Sequence, residues 1–161
     1  MTPWTQSLWL WRARAGYAVA RQMMGWPALL KQPRTWNWMQ GQFARLANLG
    51  DHSAQSFYGH ILLFRGQGVA ARAEGIRFLR LAAQAGEGKA AYQLGLLSLK
   101  GDYANPADAA ETARWWEIAA TAGHPLAAYK LAELYRQGGA NLPINLAQAE
   151  RLQPRAADLG L

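Results

Sequence analysis

Histidine has the widest catalytic and metal-binding chemistry of the residue types in this chain, and it occurs at His52, His60 and His124. A helical zinc site needs a second ligand three or four residues away, and none of the three histidines is followed by one. The chain has no cysteine, which excludes disulfides, thiolate metal sites and cysteine nucleophiles. The sequence therefore predicts no metal and no cofactor.

The segment GEGKAAY at 86–92 superficially resembles a phosphate-binding loop. Such a loop reads G-x-x-x-x-G-K-[ST], but Ala83 stands at its first glycine and Ala90 stands where Ser or Thr is needed. The acidic residues occur singly, without the pairing that general acid–base catalysis uses. Since no nucleophile and base can be paired, we predict that the chain is not an enzyme.

Charge is distributed unevenly along the 161 residues, which carry a net charge of +7. Residues 1–50 hold six basic side chains, no acidic one and six of the eight tryptophans, whereas residues 81–161 are close to neutral. No stretch approaches the roughly 18 consecutive apolar residues of a transmembrane helix, and the N-terminus lacks a secretory signal pattern. We therefore expect a cytoplasmic protein, with a peripheral association with the inner membrane as the alternative.

A phrase of small residues that ends in glycine recurs along the chain. It reads LANLG at 46–50, AAQAG at 82–86, AATAG at 119–123 and AADLG at 156–160. The closing glycines are 36, 37 and 37 residues apart. A period in the thirties that holds two helical patterns predicts a stack of helix–turn–helix units, whose neighbours bury a continuous core.

Each unit is predicted to hold a first helix, A, and a second helix, B, with small residues where the helices cross and an aromatic residue beside them. The predicted A helices are 5–24, 52–65, 88–100 and 125–137, and the predicted B helices are 35–49, 71–85, 106–122 and 145–159. Asn105 is predicted to cap the third B helix, with Pro106 at its first position. Pro154 is predicted to kink or shorten the last B helix.

These units resemble the Sel1-like repeats, a family of α/α solenoid repeats related to tetratricopeptide repeats. The third repeat departs from the family pattern at Ala132, which replaces a mid-helix glycine. The second repeat matches the pattern at Ala90, Tyr92, Leu94, Gly95, Gly101, Ala109, Trp115 or Trp116, Ala119, Ala120 and Gly123. The resemblance implies an all-α solenoid of about eight helices in a right-handed superhelix. We expect a degenerate first helix pair at 1–50 and three repeats at 51–86, 87–123 and 124–161.

The resemblance also implies a non-enzymatic adaptor or scaffold for protein–protein interaction, often in bacteria, with the A helices lining a concave surface. Alignment of the repeats places nine residues at outward positions of the A helices, namely Tyr58, Ile61, Arg65, Gln93, Leu96, Lys100, Lys130, Glu133 and Gln137. Apolar side chains next to mostly basic ones predict a partner peptide or helix that carries negative charge. The sequence is also compatible with a homo-oligomer.

The predicted helix 5–24 supports an alternative function, because it carries two apolar stripes. One of its helical stripes holds Trp4, Leu8, Trp11, Ala15, Ala18 and Val19, and another holds Trp9, Ala13, Tyr17, Ala20 and Met24. Packing of both stripes inside the fold is the favoured interpretation, because apolar residues at helical spacing usually belong to a core.

Exposure of one stripe would instead suit an anionic membrane surface or a partner's groove. The contact residues would then be Trp4, Trp9, Trp11, Arg12, Arg14 and Arg21. Nucleic-acid binding is the weakest alternative, because the pI near 10.1 permits phosphate contacts but the arginines are scattered and no nucleic-acid motif is visible.

Overall fold

The computed structural model describes residues 3–102 and 105–158, without the side chains of residues 3–7 and 155–158. These residues form nine α helices, which confirms the predicted all-α fold class. The helices are α1 (Pro3–Met23), α2 (Pro27–Leu30), α3 (Pro33–Asn48), α4 (His52–Arg65), α5 (Gly68–Gln84), α6 (Gly88–Lys100), α7 (Ala109–Thr121), α8 (Pro125–Gln137) and α9 (Leu146–Asp158). Helix α2 lies between the predicted helices 5–24 and 35–49, where no helix was predicted.

Helices α7 and α9 differ from the sequence-based predictions in their capping and in the effect of a proline. Asn105 does not cap a helix, because α7 begins at Ala109, and its backbone N–H donates to Asp102 Oδ1 at 2.9 Å. Asp108 caps α7 instead, and its carboxylate accepts a hydrogen bond from the backbone N–H of Glu111 at 2.9 Å. Helix α9 continues four residues beyond Pro154, so the predicted shortening does not occur.

The recurring phrase ends the B helices α5 and α7 in the same way. Gly86 after α5 and Gly123 after α7 have φ angles of 92° and 81°, in the left-handed region that glycine adopts without strain. The next residue then donates its N–H back into the helix, from Glu87 to the Ala82 carbonyl at 3.0 Å and from His124 to the Ala119 carbonyl at 2.9 Å. The phrase is therefore a helix stop that turns the chain into the next helix pair.

The chain divides into two compact units, residues 1–78 and 79–161, and the boundary falls within α5. In the first unit α3 packs on α1 and α4, and the core holds the edge-to-face rings of Tyr17, Phe43 and Phe57. In the second unit α6, α7, α8 and α9 pack successively, around a core that includes Trp116, Leu131 and Leu152. The division at residue 50 that composition suggested stays a prediction.

Candidate functional site

Two of the three histidines, His52 and His60, form hydrogen bonds with residues of their own helix, α4. The His60 imidazole donates from Nδ1 to the carbonyl of Ser56 at 2.7 Å, and His52 Nδ1 lies 3.2 Å from Gln55 Oε1. Among the described residues, no group of three His, Asp or Glu side chains is arranged to hold a metal ion. The histidines therefore act as local hydrogen-bonding groups.

Three of the nine predicted partner-binding residues lie on α4 in the first unit, and they differ in exposure. The prediction that Ile61 faces outward is wrong, since it is 6% exposed and belongs to the core. Tyr58 is half-buried and its ring packs on Phe78 at 5.5 Å, a burial that raises the pKa of its hydroxyl. Arg65 is exposed, and its guanidinium carbon lies 5.6 Å from the centroid of the Trp36 ring. Helix α4 packs against both α3 and the first part of α5, which leaves little of its surface free.

The other six predicted residues lie on two helices of the second unit and remain accessible to different degrees. They are half-buried Gln93 and Leu96 and exposed Lys100 on α6, and half-buried Lys130 and Glu133 and exposed Gln137 on α8. Leu96 packs against the core of this unit, together with Tyr92 of the same helix. The second unit therefore carries the more accessible part of the predicted surface.

Three neighbouring side chains of α8, Tyr129, Lys130 and Glu133, form one hydrogen-bonded group, which we call the α8 cluster. The Glu133 carboxylate accepts from Lys130 Nζ at 2.8 Å and from the Tyr129 hydroxyl at 2.9 Å. The bond from Lys130, and then that from Tyr129, lowers the pKa of Glu133. The cluster therefore holds a phenol ring and an ammonium group in fixed positions on the helix surface.

Helices α6 and α8 contribute side chains to the same core. The Glu133 hydrogen bond is the largest cause of the raised pKa of Lys130, and the hydroxyls of Tyr129 on α8 and Tyr92 on α6 add smaller electrostatic contributions. Tyr92 and Leu96 also pack against the core that Leu131 of α8 helps to build. We call the surface formed by Gln93, Leu96 and Lys100 of α6 with the α8 cluster the α6–α8 face.

Tyr129 is the residue of this face that sequence analysis missed, because the repeat pattern assigned it to the core. It is 41% exposed, whereas its equivalent Tyr92 stacks on Trp116 at 5.9 Å and on His124 at 4.3 Å. The position 37 residues after Trp116 holds Gln153, so the ring that covers Tyr92 has no counterpart over Tyr129. The change from Trp116 to Gln153 between repeats was the available signal.

The third histidine, His124, is half-buried. It precedes α8, its ring stacks on Tyr92, and its buried Nδ1 has no hydrogen-bond partner among the described residues. Burial lowers the pKa of His124, and the positive charge of Lys89 lowers it further. The folded protein therefore disfavours protonation of this ring.

We expect this histidine to destabilise the protein in mild acid. Because its pKa is lower in the folded state, the unfolded chain binds the proton first, so the free energy of unfolding falls as pH drops below about 6.5. His124→Phe keeps the stacked ring without titrating, and its stability should change less between about pH 7.5 and about pH 5.5. Urea unfolding of both proteins at the two pH values measures this, and equal changes would contradict it.

The predicted contact residues of α1 are only partly exposed. The stripe of Ala13, Tyr17 and Ala20 is buried against α3, whereas the stripe that contains Trp11 faces solvent, so the prediction that both stripes pack inside the fold is wrong. Trp9, Arg12 and Arg14 are exposed. The side chain of Trp4 lies outside the described residues.

Arg21 differs from the other arginines of α1. Although exposed, it donates to the Tyr17 hydroxyl at 3.3 Å, and its guanidinium lies 5.1 Å from the centroid of the Phe57 ring. These contacts fix Arg21 on the core side of α1. No helix among the described residues is long and apolar enough to cross a membrane.

Comparison with known proteins shows where this architecture recurs. The Sel1 repeat family matches the chain three times, over residues 52–87, 88–124 and 125–161. The crystal structure of a Sel1 repeat protein from Oxalobacter formigenes is 32% identical, with a TM-score of 0.63 over 74% of this chain and 88% of that one. No curated protein sequence matches the chain.

A second solved structure shares the fold at lower identity. It is a protective antigen present in uropathogenic Escherichia coli strains that displays an SLR fold, 21% identical with a TM-score of 0.70. The match covers 94% of this chain but 31% of the antigen, so this chain spans about a third of the antigen's length.

Proposed function

The chain belongs to the Sel1 repeat family, and we propose that it acts as an adaptor whose α6–α8 face binds an acidic peptide or helix of a partner protein. Sel1 repeat proteins generally mediate protein–protein interaction, and their fold is typically a non-enzymatic scaffold. The observation that carries the proposal is the α8 cluster, in which the exposed Tyr129 ring is hydrogen-bonded to the half-buried Glu133 and Lys130 pairs with the same carboxylate.

The apolar part of this face suits an anchor residue of the partner. The Tyr129 ring is exposed, yet its hydroxyl is fixed by Glu133, so little side-chain entropy is lost when a partner covers the ring. Tyrosine is enriched among the residues that dominate binding energies, because it offers a large apolar surface with a polar end. Leu96 extends this apolar surface onto α6.

The charge of the face favours an acidic segment. Lys100 and Lys130 supply two positive charges to the face against the single carboxylate of Glu133, which leaves a net charge of +1. Exposed Arg136 of α8 adds a further positive charge near Glu133. Both oxygens of that carboxylate already accept hydrogen bonds from the cluster itself. Complementary charge of this kind speeds association and selects the partner.

Charge reversal tests the proposal. Affinity capture from a native extract, quantified by mass spectrometry, would compare the wild type with Lys100→Glu/Lys130→Glu. The variant should lose acidic-segment partners by about tenfold, because two attractive charges become repulsive ones. The matched control is Arg114→Glu/Arg151→Glu, which reverses two exposed arginines of α7 and α9 in the same unit.

The control should retain the partners, and circular dichroism should show equal helix content in all three proteins. Capture that both variants retain equally would overturn the proposal, and so would partners that lack acidic segments.

A further inference from the structure

A second accessible surface lies in the first unit and is unrelated to the α6–α8 face. Leu8, Trp11 and Val19 project from the side of α1 opposite its buried stripe, and they are 66%, 73% and 53% exposed. Trp26, after the end of α1, is also exposed and lines a cavity of about 280 Å³ with Val19, Gln22 and Met23. We call this surface the α1 outer face.

Basic side chains flank the α1 outer face. Arg12 and Arg14 are exposed on opposite edges of the helix, and the Arg12 guanidinium lies 5.3 Å from the centroid of the Trp9 ring. Residues 1–50 contain no acidic residue, so nothing in this segment offsets the positive charge. The face therefore combines an apolar centre with positively charged margins.

From this pattern we propose that the α1 outer face binds an anionic lipid surface, with α1 lying parallel to the membrane plane. A helix with Trp and Leu on one face and arginines beside them inserts its apolar side at the boundary between headgroups and acyl chains. Arginine side chains at the margins reach the lipid phosphates while their methylene stems stay in the apolar layer. The cavity beside Val19 and Trp26 offers further apolar surface to acyl chains.

Charge and shape favour lipid over three other occupants. A second copy of this chain would place Arg12 and Arg14 against the same arginines, without an acidic residue of 1–50 between them. A protein partner would have to supply an apolar groove with acidic side chains on both of its edges, whereas an anionic membrane offers an apolar layer and negative charge over its whole surface. Nucleic acid would leave the exposed aliphatic side chains Leu8 and Val19 without favourable contacts.

The test is flotation of the full chain with phospholipid vesicles in low salt. The wild type should float with vesicles of equimolar phosphatidylcholine and phosphatidylglycerol, and not with vesicles of phosphatidylcholine alone. Trp11→Ser should weaken binding to the anionic vesicles by about tenfold, because it removes the most exposed tryptophan of the face. Phe64→Ser is the matched control, since Phe64 is an aromatic residue that is 66% exposed on α4.

A second variant tests the charged margins independently. Arg12→Gln/Arg14→Gln should weaken binding to anionic vesicles by about tenfold or more, and high salt should have the same effect on the wild type. Circular dichroism would check that each variant keeps its helix content.

Three results would overturn the proposal. The first is wild-type protein that stays with the soluble fraction at low salt. The second is an equal loss of vesicle binding from Trp11→Ser and Phe64→Ser. The third is wild-type protein that uses this face to bind single-stranded nucleic acid or a second copy of itself. None of these results bears on the α6–α8 face, so the two proposals fail separately.

Discussion

Trp116→Ala is expected to lower the free energy of unfolding of the second unit by about 3–5 kcal/mol. The indole is 2% exposed and donates from Nε1 to the Tyr92 carbonyl at 3.2 Å. Its removal would leave a cavity between α6 and α7 and would remove the side-chain hydrogen bond to the Tyr92 carbonyl. Urea unfolding followed by circular dichroism measures the loss, and Trp115→Ala, at the neighbouring half-buried tryptophan, should cost much less.

The contact between Gly95 and Trp116 predicts that substitutions at these two positions have non-additive effects on the free energy of unfolding. A Cβ at Gly95 would collide with the indole of Trp116, so Gly95→Ala should destabilise the wild type. The third repeat already carries the compatible pair, since Ala132 stands at the position of Gly95 and Gln153 at that of Trp116. In a Trp116→Leu background Gly95→Ala should therefore cost less, with a coupling energy of about 1–3 kcal/mol. Additive effects of the two substitutions would contradict this explanation.

Gly75→Ala is expected to lower the free energy of unfolding by about 1–3 kcal/mol through overpacking of the first unit. A Cβ at Gly75 would lie 2.9 Å from the Gly59 carbonyl oxygen and 3.0 Å from the Leu63 nitrogen. Both atoms belong to the backbone of α4, so no side-chain rotation can relieve the contact.

Gly41→Ala is the matched control for this substitution. Gly41 lies inside α3, and a Cβ at this position would meet no atom of another helix or side chain within 4 Å, so alanine adds helix propensity without a clash. It should stabilise the protein by about 0.5–1 kcal/mol. Unfolding of the two variants under the same conditions should therefore show shifts of opposite sign, and shifts of the same sign would contradict the packing argument.

The repeat was enough to predict the A helices. Helices α4, α6 and α8 begin and end at the predicted residues, because a glycine follows each helix and the recurring phrase precedes it. The start of α7 was not predictable from Asn105 and Pro106 alone, since the helix begins three residues later, where the Asp108 carboxylate accepts from the backbone N–H of Glu111. The Sel1-like resemblance was confirmed by three matches of the family, over residues 52–87, 88–124 and 125–161.

Surface positions were harder to predict than helices, because alignment of repeats assumes equivalent neighbours. Ile61 is buried since the first part of α5 and α3 both cover α4, and Tyr129 is exposed since its repeat lacks the tryptophan that covers Tyr92. A helical wheel of α1 separated its two stripes correctly but could not show that Trp11 faces solvent. That outcome depends on α1 packing against α3 on one side.

Site-specific photo-crosslinking from position 129 tests the central claim, binding of a protein segment on the α6–α8 face, most directly. A photoreactive phenylalanine analogue would replace Tyr129 in one protein and exposed Arg114 of α7 in the other, and both would be irradiated in native extract. The account predicts a crosslinked partner from position 129, attached through an acidic segment, and no such adduct from position 114. Equal crosslinking from both positions, or an adduct from position 114 alone, would contradict it.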